Sequence, residues 1–175
     1  MIIFPCGSVN HNIHLNMRQI TIMSILLFWG YAVMAQNTPD VWTETSKIKK
    51  VVVVRLKAGT DLLVGLSRAV KEEDIKNGLI LNGIGSVTDY HFHVVSDSNL
   101  PPGEAFISES LPMDVLSVQG FIFEGRVHAH ISLSDETKVI GGHLEPGTKA
   151  LTFLIVTIGV LPDKADISNF DDYKY

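Results

Sequence analysis

The feature that most restricts the fold lies in the second half of the chain. Over residues 79–160, short β-branched or alternating apolar blocks follow one another with glycine- or proline-bearing breaks between them. Period-two alternation over four to eight residues suits a half-buried strand, and such blocks are shorter than ordinary helices. Strands are expected over 79–87, 90–95, 105–108, 115–123, 127–133, 139–142 and 150–160. Gly83 and Gly85 interrupt the first of these, which points to a bulge or a close backbone approach. Thr88-Asp89 marks a bend. In 90–95, Tyr90, Phe92 and Val94 share one face and His91 and His93 the other. Pro101 and Pro102 make 97–103 the clearest loop.

The preceding segment differs in kind. Residues 48–56 read as a strand, and the run Val51-Val52-Val53-Val54 is expected to be buried on both faces. Thr60 is placed to cap a helix over 61–70, where Leu62, Leu63, Leu66, Ala69 and Val70 recur at helical spacing. A short acidic turn of helix is expected over 72–76, ending at Asn77-Gly78. One early helical region followed by many strands predicts an α+β domain built on an antiparallel sheet.

The first 35 residues read as a segment apart from this fold. Met17-Arg18-Gln19 supplies a positive head, residues 20–33 are mostly apolar, and Val33-Met34-Ala35 offers a cleavage site. That is the layout of a secretory signal peptide, with Met17 as its natural initiator. The apolar run is about 15 residues, short of the roughly 20 that span a bilayer. No membrane span is expected after its removal. A flexible leader at 36–46 precedes the domain, placed at 47–162, and an acidic, aromatic tail fills 163–175.

Composition narrows the functions. The single cysteine is Cys6, so no intrachain disulfide can form. Formal charge is −5, and it becomes −6 when Arg18 leaves with the signal. Such a balance lacks the basic footprint of a nucleic-acid or anionic-membrane binder. A cysteine-free domain is indifferent to an oxidising compartment.

Histidine patterning carries the chemistry. In a strand, residues two apart point to one face about 6.5–7 Å apart. His128-Ala129-His130 therefore aims two imidazoles at one patch, and His143 follows Gly141-Gly142, whose backbone can pass close to a neighbour. Three imidazole nitrogens with an open fourth position suit Zn²⁺, and imidazole also suits other transition metals. His91 and His93 form a second pair with no third ligand near them in sequence, and they read as polar residues on a strand face. Gly83-Ile84-Gly85-Ser86 lacks the lysine and following helix of a phosphate loop. No nucleophile elbow stands out.

At these residues the chain resembles the "plants and prokaryotes conserved" (PPC) domain family over roughly 52–161. Arg55-Leu56-Lys57-Ala58-Gly59-Thr60-Asp61 resembles the family's opening strand and helix start. Gly83-Ile84-Gly85-Ser86-Val87 resembles its glycine-bearing second strand, and Met113-Asp114-Val115-Leu116-Ser117-Val118-Gln119-Gly120 a further segment, with Asp114 at its acidic position. Val127-His128-Ala129-His130-Ile131-Ser132-Leu133 and Gly141-Gly142-His143-Leu144 resemble its two most specific motifs. The resemblance implies an α+β fold, a homotrimer, and a metal, usually zinc, on the matching histidines His128, His130 and His143. Two departures stand out. Ile155 occupies a last-strand position where the family often has glutamate, and the Arg-Gly-Arg-Pro run of DNA-binding plant members is absent.

Three functions compete at this point. One is an exported trimeric metal-binding domain, its metal structural or holding a small anion. Another is DNA binding, the label the family often carries. The third is a cupin-like metalloenzyme, suggested by Gly125-Arg126-Val127-His128-Ala129-His130 with Glu136 beyond, although Glu136 falls later than cupins place it.

Overall fold

The structure, a computed structural model, describes residues 41–172. The expected signal peptide at 1–35, the start of the leader and the last three residues of the tail lie outside the described residues. Seven strands and one helix follow in the order β1 (Lys50–Lys57), α1 (Leu62–Glu72), β2 (Gly78–Val95), β3 (Glu104–Glu109), β4 (Met113–Phe123), β5 (Arg126–Ser134), β6 (Val139–Leu144) and β7 (Lys149–Val160). All strands join one sheet in the order β1-β7-β2-β4-β5-β6, with β3 paired to β2. Every pairing is antiparallel.

The expected α+β class is therefore observed, with four local differences. First, the strands expected at 79–87 and 90–95 are one 18-residue strand. Register shifts against β7 between Ile80 and Asn82 and on either side of Val87 absorb the polar Thr88-Asp89 pair without ending the ladder. Second, the helix cap is Asp61, not Thr60. Its carboxylate accepts from the Val64 amide at 3.0 Å and from the Gly147 amide at 2.6 Å, tying the helix start to the β6–β7 turn. Third, no separate helix forms at 72–76. Asp74 takes a positive φ of 49° and the chain turns directly into β2. Fourth, β1 is an edge strand with one wet face: Val54 is buried, but Val51 and Val53 are 57% and 64% exposed.

The length of β2 shapes the sheet. Its first half pairs with β7 and β4, and its second half with β3 and β6. The path β2-β4-β5-β6 thus returns to β2, closing a ring through Phe92↔Leu144 and His93↔His143. Core-facing residues of this ring and of the adjoining β7 are apolar and fully buried: Val87, Val118 and Leu133 of the ring, and Leu154, Val156 and Ile158 of β7, packed in one cluster with Leu62, Leu66 and Val70 of α1. Truncating a buried leucine of this kind costs about 2–5 kcal/mol. Residues 161–172 fold back as turns, and Ala165 and Ile167 bury against Phe123 and Leu161 in a second small cluster. Asn77 anchors this segment by donating to the Ala165 carbonyl at 2.9 Å. No described helix is long and apolar enough to cross a membrane.

Candidate metal centre

The alternation of β5 decides which side chains reach the outer face. Ala129 and Ile131 are 1% and 2% exposed and fill the core, so His128 and His130 stand on the opposite side. β6 then pairs with β5 so that His143 lies directly across from His130. This pairing needs glycine at both preceding positions. A Cβ on Gly141 would sit 2.1 Å from the Ile131 carbonyl oxygen, and one on Gly142 would sit 2.4 Å from the His93 carbonyl oxygen. Without side chains, β6 is pressed between β5 and β2, and His143 enters the patch.

The three imidazoles form a triangle. Ring centroids are 5.7 Å apart for His128–His130, 5.2 Å for His130–His143 and 4.6 Å for His128–His143. The circle through those points has a radius of about 3.0 Å. A ring whose nitrogen binds zinc at 2.0–2.1 Å keeps its centroid roughly 3.2 Å from the ion. One nitrogen from each ring lies within 4.8 Å of the others, so the set could hold a metal ion after small side-chain adjustments.

Protonation favours the same reading. Burial, followed by repulsion from His128, His93 and His130, lowers the His143 pKa to about 4. His130 is shifted down as well, by burial and then by His128 and His93. Both are thereby neutral at physiological pH, the form in which imidazole binds a metal.

Carboxylates orient the surrounding rings. His128 Nδ1 lies 2.9 Å from Asp171 Oδ2, while Arg126 holds the same carboxylate with Nη1 at 2.8 Å and Nη2 at 3.1 Å. The Arg126 guanidinium, helped by His128, keeps the Asp171 carboxyl below its usual pKa, so it accepts from both. His93 Nδ1 lies 2.7 Å from Glu145 Oε1, and its ring stacks on His143 at 4.5 Å. His93, His143 and Glu145 make a second group whose ligand atoms lie within 4.8 Å of one another. The rings line a cleft of about 570 Å³, walled by Val95, Pro101, Pro102 and Glu104.

All three histidines singled out in the sequence are thus brought together. Three participants were missed. His93 joins because the β2–β6 register sets it opposite His143. Glu145 follows β6 immediately, and Asp171 arrives with the folded-back segment. Only His93 had a local signal, its place on the same outward face as the rest of a His-x-His pair. His91, its partner in that pair, lies outside the cluster, with Nδ1 2.7 Å from the Pro146 carbonyl.

The family model for the Plants and Prokaryotes Conserved domain, abbreviated PPC or PCC, matches residues 43–162. The chain belongs to the PPC family. The metal-containing protein AF0104 of Archaeoglobus fulgidus has the same fold, with a TM-score of 0.62 and 22% identity over 71% of this chain and 89% of that one. A Bacteroides thetaiotaomicron protein, provisionally named as DNA-binding, superposes with a TM-score of 0.56 at 18% identity, covering 69% of this PPC chain and 85% of its own. In sequence, the chain is 26% identical over 115 residues to the bifunctional protein GlmU of a Synechococcus strain, which is 65% of this chain. It spans only 17% of that relative's length.

Proposed function

We propose that this PPC chain is an exported metal-binding protein that holds zinc through His128, His130 and His143 and assembles as a homotrimer. The observation that carries the reading is the triangle of imidazoles at ion-binding separation, with His143 shifted toward its neutral form by burial and His128 oriented by Asp171. An all-imidazole set suits zinc, and such an ion would supply a Lewis acid with an open position for a small anion or water. Around it the chain does three things. Asp171 fixes the His128 ring, Glu145 fixes the His93 ring beside His143, and Val95, Pro101 and Pro102 keep one wall of the cleft apolar. The metal-containing relative supports the assignment of a metal. Export is supported by the signal-like pattern of residues 1–35, and the trimer by the family resemblance. The cupin-like alternative is set aside, because the single seven-stranded sheet closing on β2 is not a jelly roll of two facing sheets.

Elemental analysis of the purified, untagged protein tests the proposal. One transition metal per subunit is expected, lost in His143→Ala. Equal metal content in both proteins would overturn it.

A second reading, DNA binding, is motivated by the provisional name of the Bacteroides neighbour. Duplex affinity depends on Lys and Arg neutralising phosphates, and this chain carries 14 basic against 19 acidic residues. The candidate site itself is ringed by Glu104, Glu145 and Asp171. Titration of a fluorescent duplex at physiological salt should give no shift. A salt-sensitive shift at low micromolar protein would establish the DNA reading instead.

A further inference from the structure

Most of the segment after β7 lies beyond the matched family domain, which ends at residue 162. It nevertheless reaches the histidine cluster. Leu161, Ala165 and Ile167 bury with Phe123, on the strand that pairs with β5. Asn77 fixes the Ala165 carbonyl, and Phe170 packs on Trp42 with ring centroids 5.6 Å apart. These contacts deliver Asp171 to the edge of the cleft with its carboxyl only 16% exposed. There it receives a two-pronged contact from Arg126 and one from His128 Nδ1. Arg126 is itself held over the Phe123 ring at 5.5 Å.

We propose that residues 161–172 form a positioning strap, in which Asp171, clamped by Arg126, fixes the His128 ring and tautomer so that Nε2 faces the cleft. A neutral imidazole has one donor and one acceptor nitrogen, and the hydrogen bond at one nitrogen decides which form is present. A carboxylate at Nδ1 places the proton there and leaves the Nε2 lone pair free. The same carboxylate raises the basicity of that lone pair, and removing such a partner typically weakens metal affinity 10–100-fold. Without the strap, the hydrogen bond that sets the His128 tautomer would be lost. The link to zinc rests on the reading of the three-histidine site. The link to ring orientation does not.

The test uses the full chain and the variants Asp171→Asn and Asp171→Glu, with two readouts. Side-chain ¹⁵N spectra of the metal-free proteins report the His128 tautomer, and chelator competition with zinc alone reports affinity. A single Nδ1–H tautomer in the native chain, mixed in Asp171→Asn and recovered in Asp171→Glu, is expected. A 10–100-fold weaker zinc affinity in Asp171→Asn, with the far-ultraviolet circular dichroism of the metal-free protein preserved, should accompany it. An unaltered tautomer in Asp171→Asn overturns the strap, whatever happens to zinc. A tautomer change in a protein that binds no zinc would sustain the strap and overturn the metal reading instead.

Discussion

At the scale of single residues, His143 is the side chain on which both candidate ligand groups depend. Its folded pKa of about 4 lies below the ordinary value of 6.5, because burial and three neighbouring imidazoles penalise the cation. An unfolded chain therefore binds more protons at this position between pH 6.5 and 4. Stability of the metal-free protein must then fall as pH drops through that window, and be free of this penalty above it. Replacing His143 with Gln removes the titrating group, so the variant should lose less of its urea midpoint than the native chain between pH 7 and 4.5. Parallel losses in the two proteins would show that His143 carries no such penalty.

At the scale of elements, the narrow passage of β6 between β5 and β2 is the most exacting requirement. Gly142→Ala places a methyl group against the His93 carbonyl and the Phe92 ring. The strands must separate or the ring must turn, at a cost of roughly 1–3 kcal/mol for an overpacked site. Denaturant melts should show that loss, and metal content should fall with it. A native melt with native metal content would mean that β6 is free to shift. The close approach at Gly141-Gly142 was legible in the sequence because two adjacent glycines have few other uses within an apolar strand. His128 and His130 were legible because strand geometry alone sets their common face. His93 and Glu145 were not, since their proximity depends on the register between β2 and β6, a pairing between segments some fifty positions apart. Asp171 was hidden differently. The acidic composition after Pro162 suggested a loose end, while the anchoring residues Ala165 and Ile167 are too few to make a periodic signal. The misreading of Val51 and Val53 has a related cause, for a β-branched run does not reveal whether its outer face has a neighbour.

At the scale of the whole molecule, the wet face of the sheet is unusually apolar. Val53 is 64% exposed, Leu116 50%, Ile84 49%, Phe121 40% and Phe153 37%, and they share that face with the histidines. Large apolar side chains gathered on one sheet face point to an interaction surface, and the proposed trimer would cover them. Ile84→Lys and Phe153→Lys should therefore yield monomers by light scattering, with far-ultraviolet circular dichroism preserved. A native mass in both variants would place the contact elsewhere or remove the trimer.

The alternation in β5 has one further consequence, and it concerns errors made while folding. A strand that pairs one residue out of step exchanges its two faces. For β5, that slip would drive His128 and His130 into a dry interior and turn Ala129, Ile131 and Leu133 out to water. Two imidazoles stripped of water and partners would be exchanged for three lost apolar contacts, and the misaligned ladder would be penalised twice. The histidines thereby guard the alignment of their own strand before any ion arrives. Replacing them with apolar residues would remove the site and, with it, a check on misfolding.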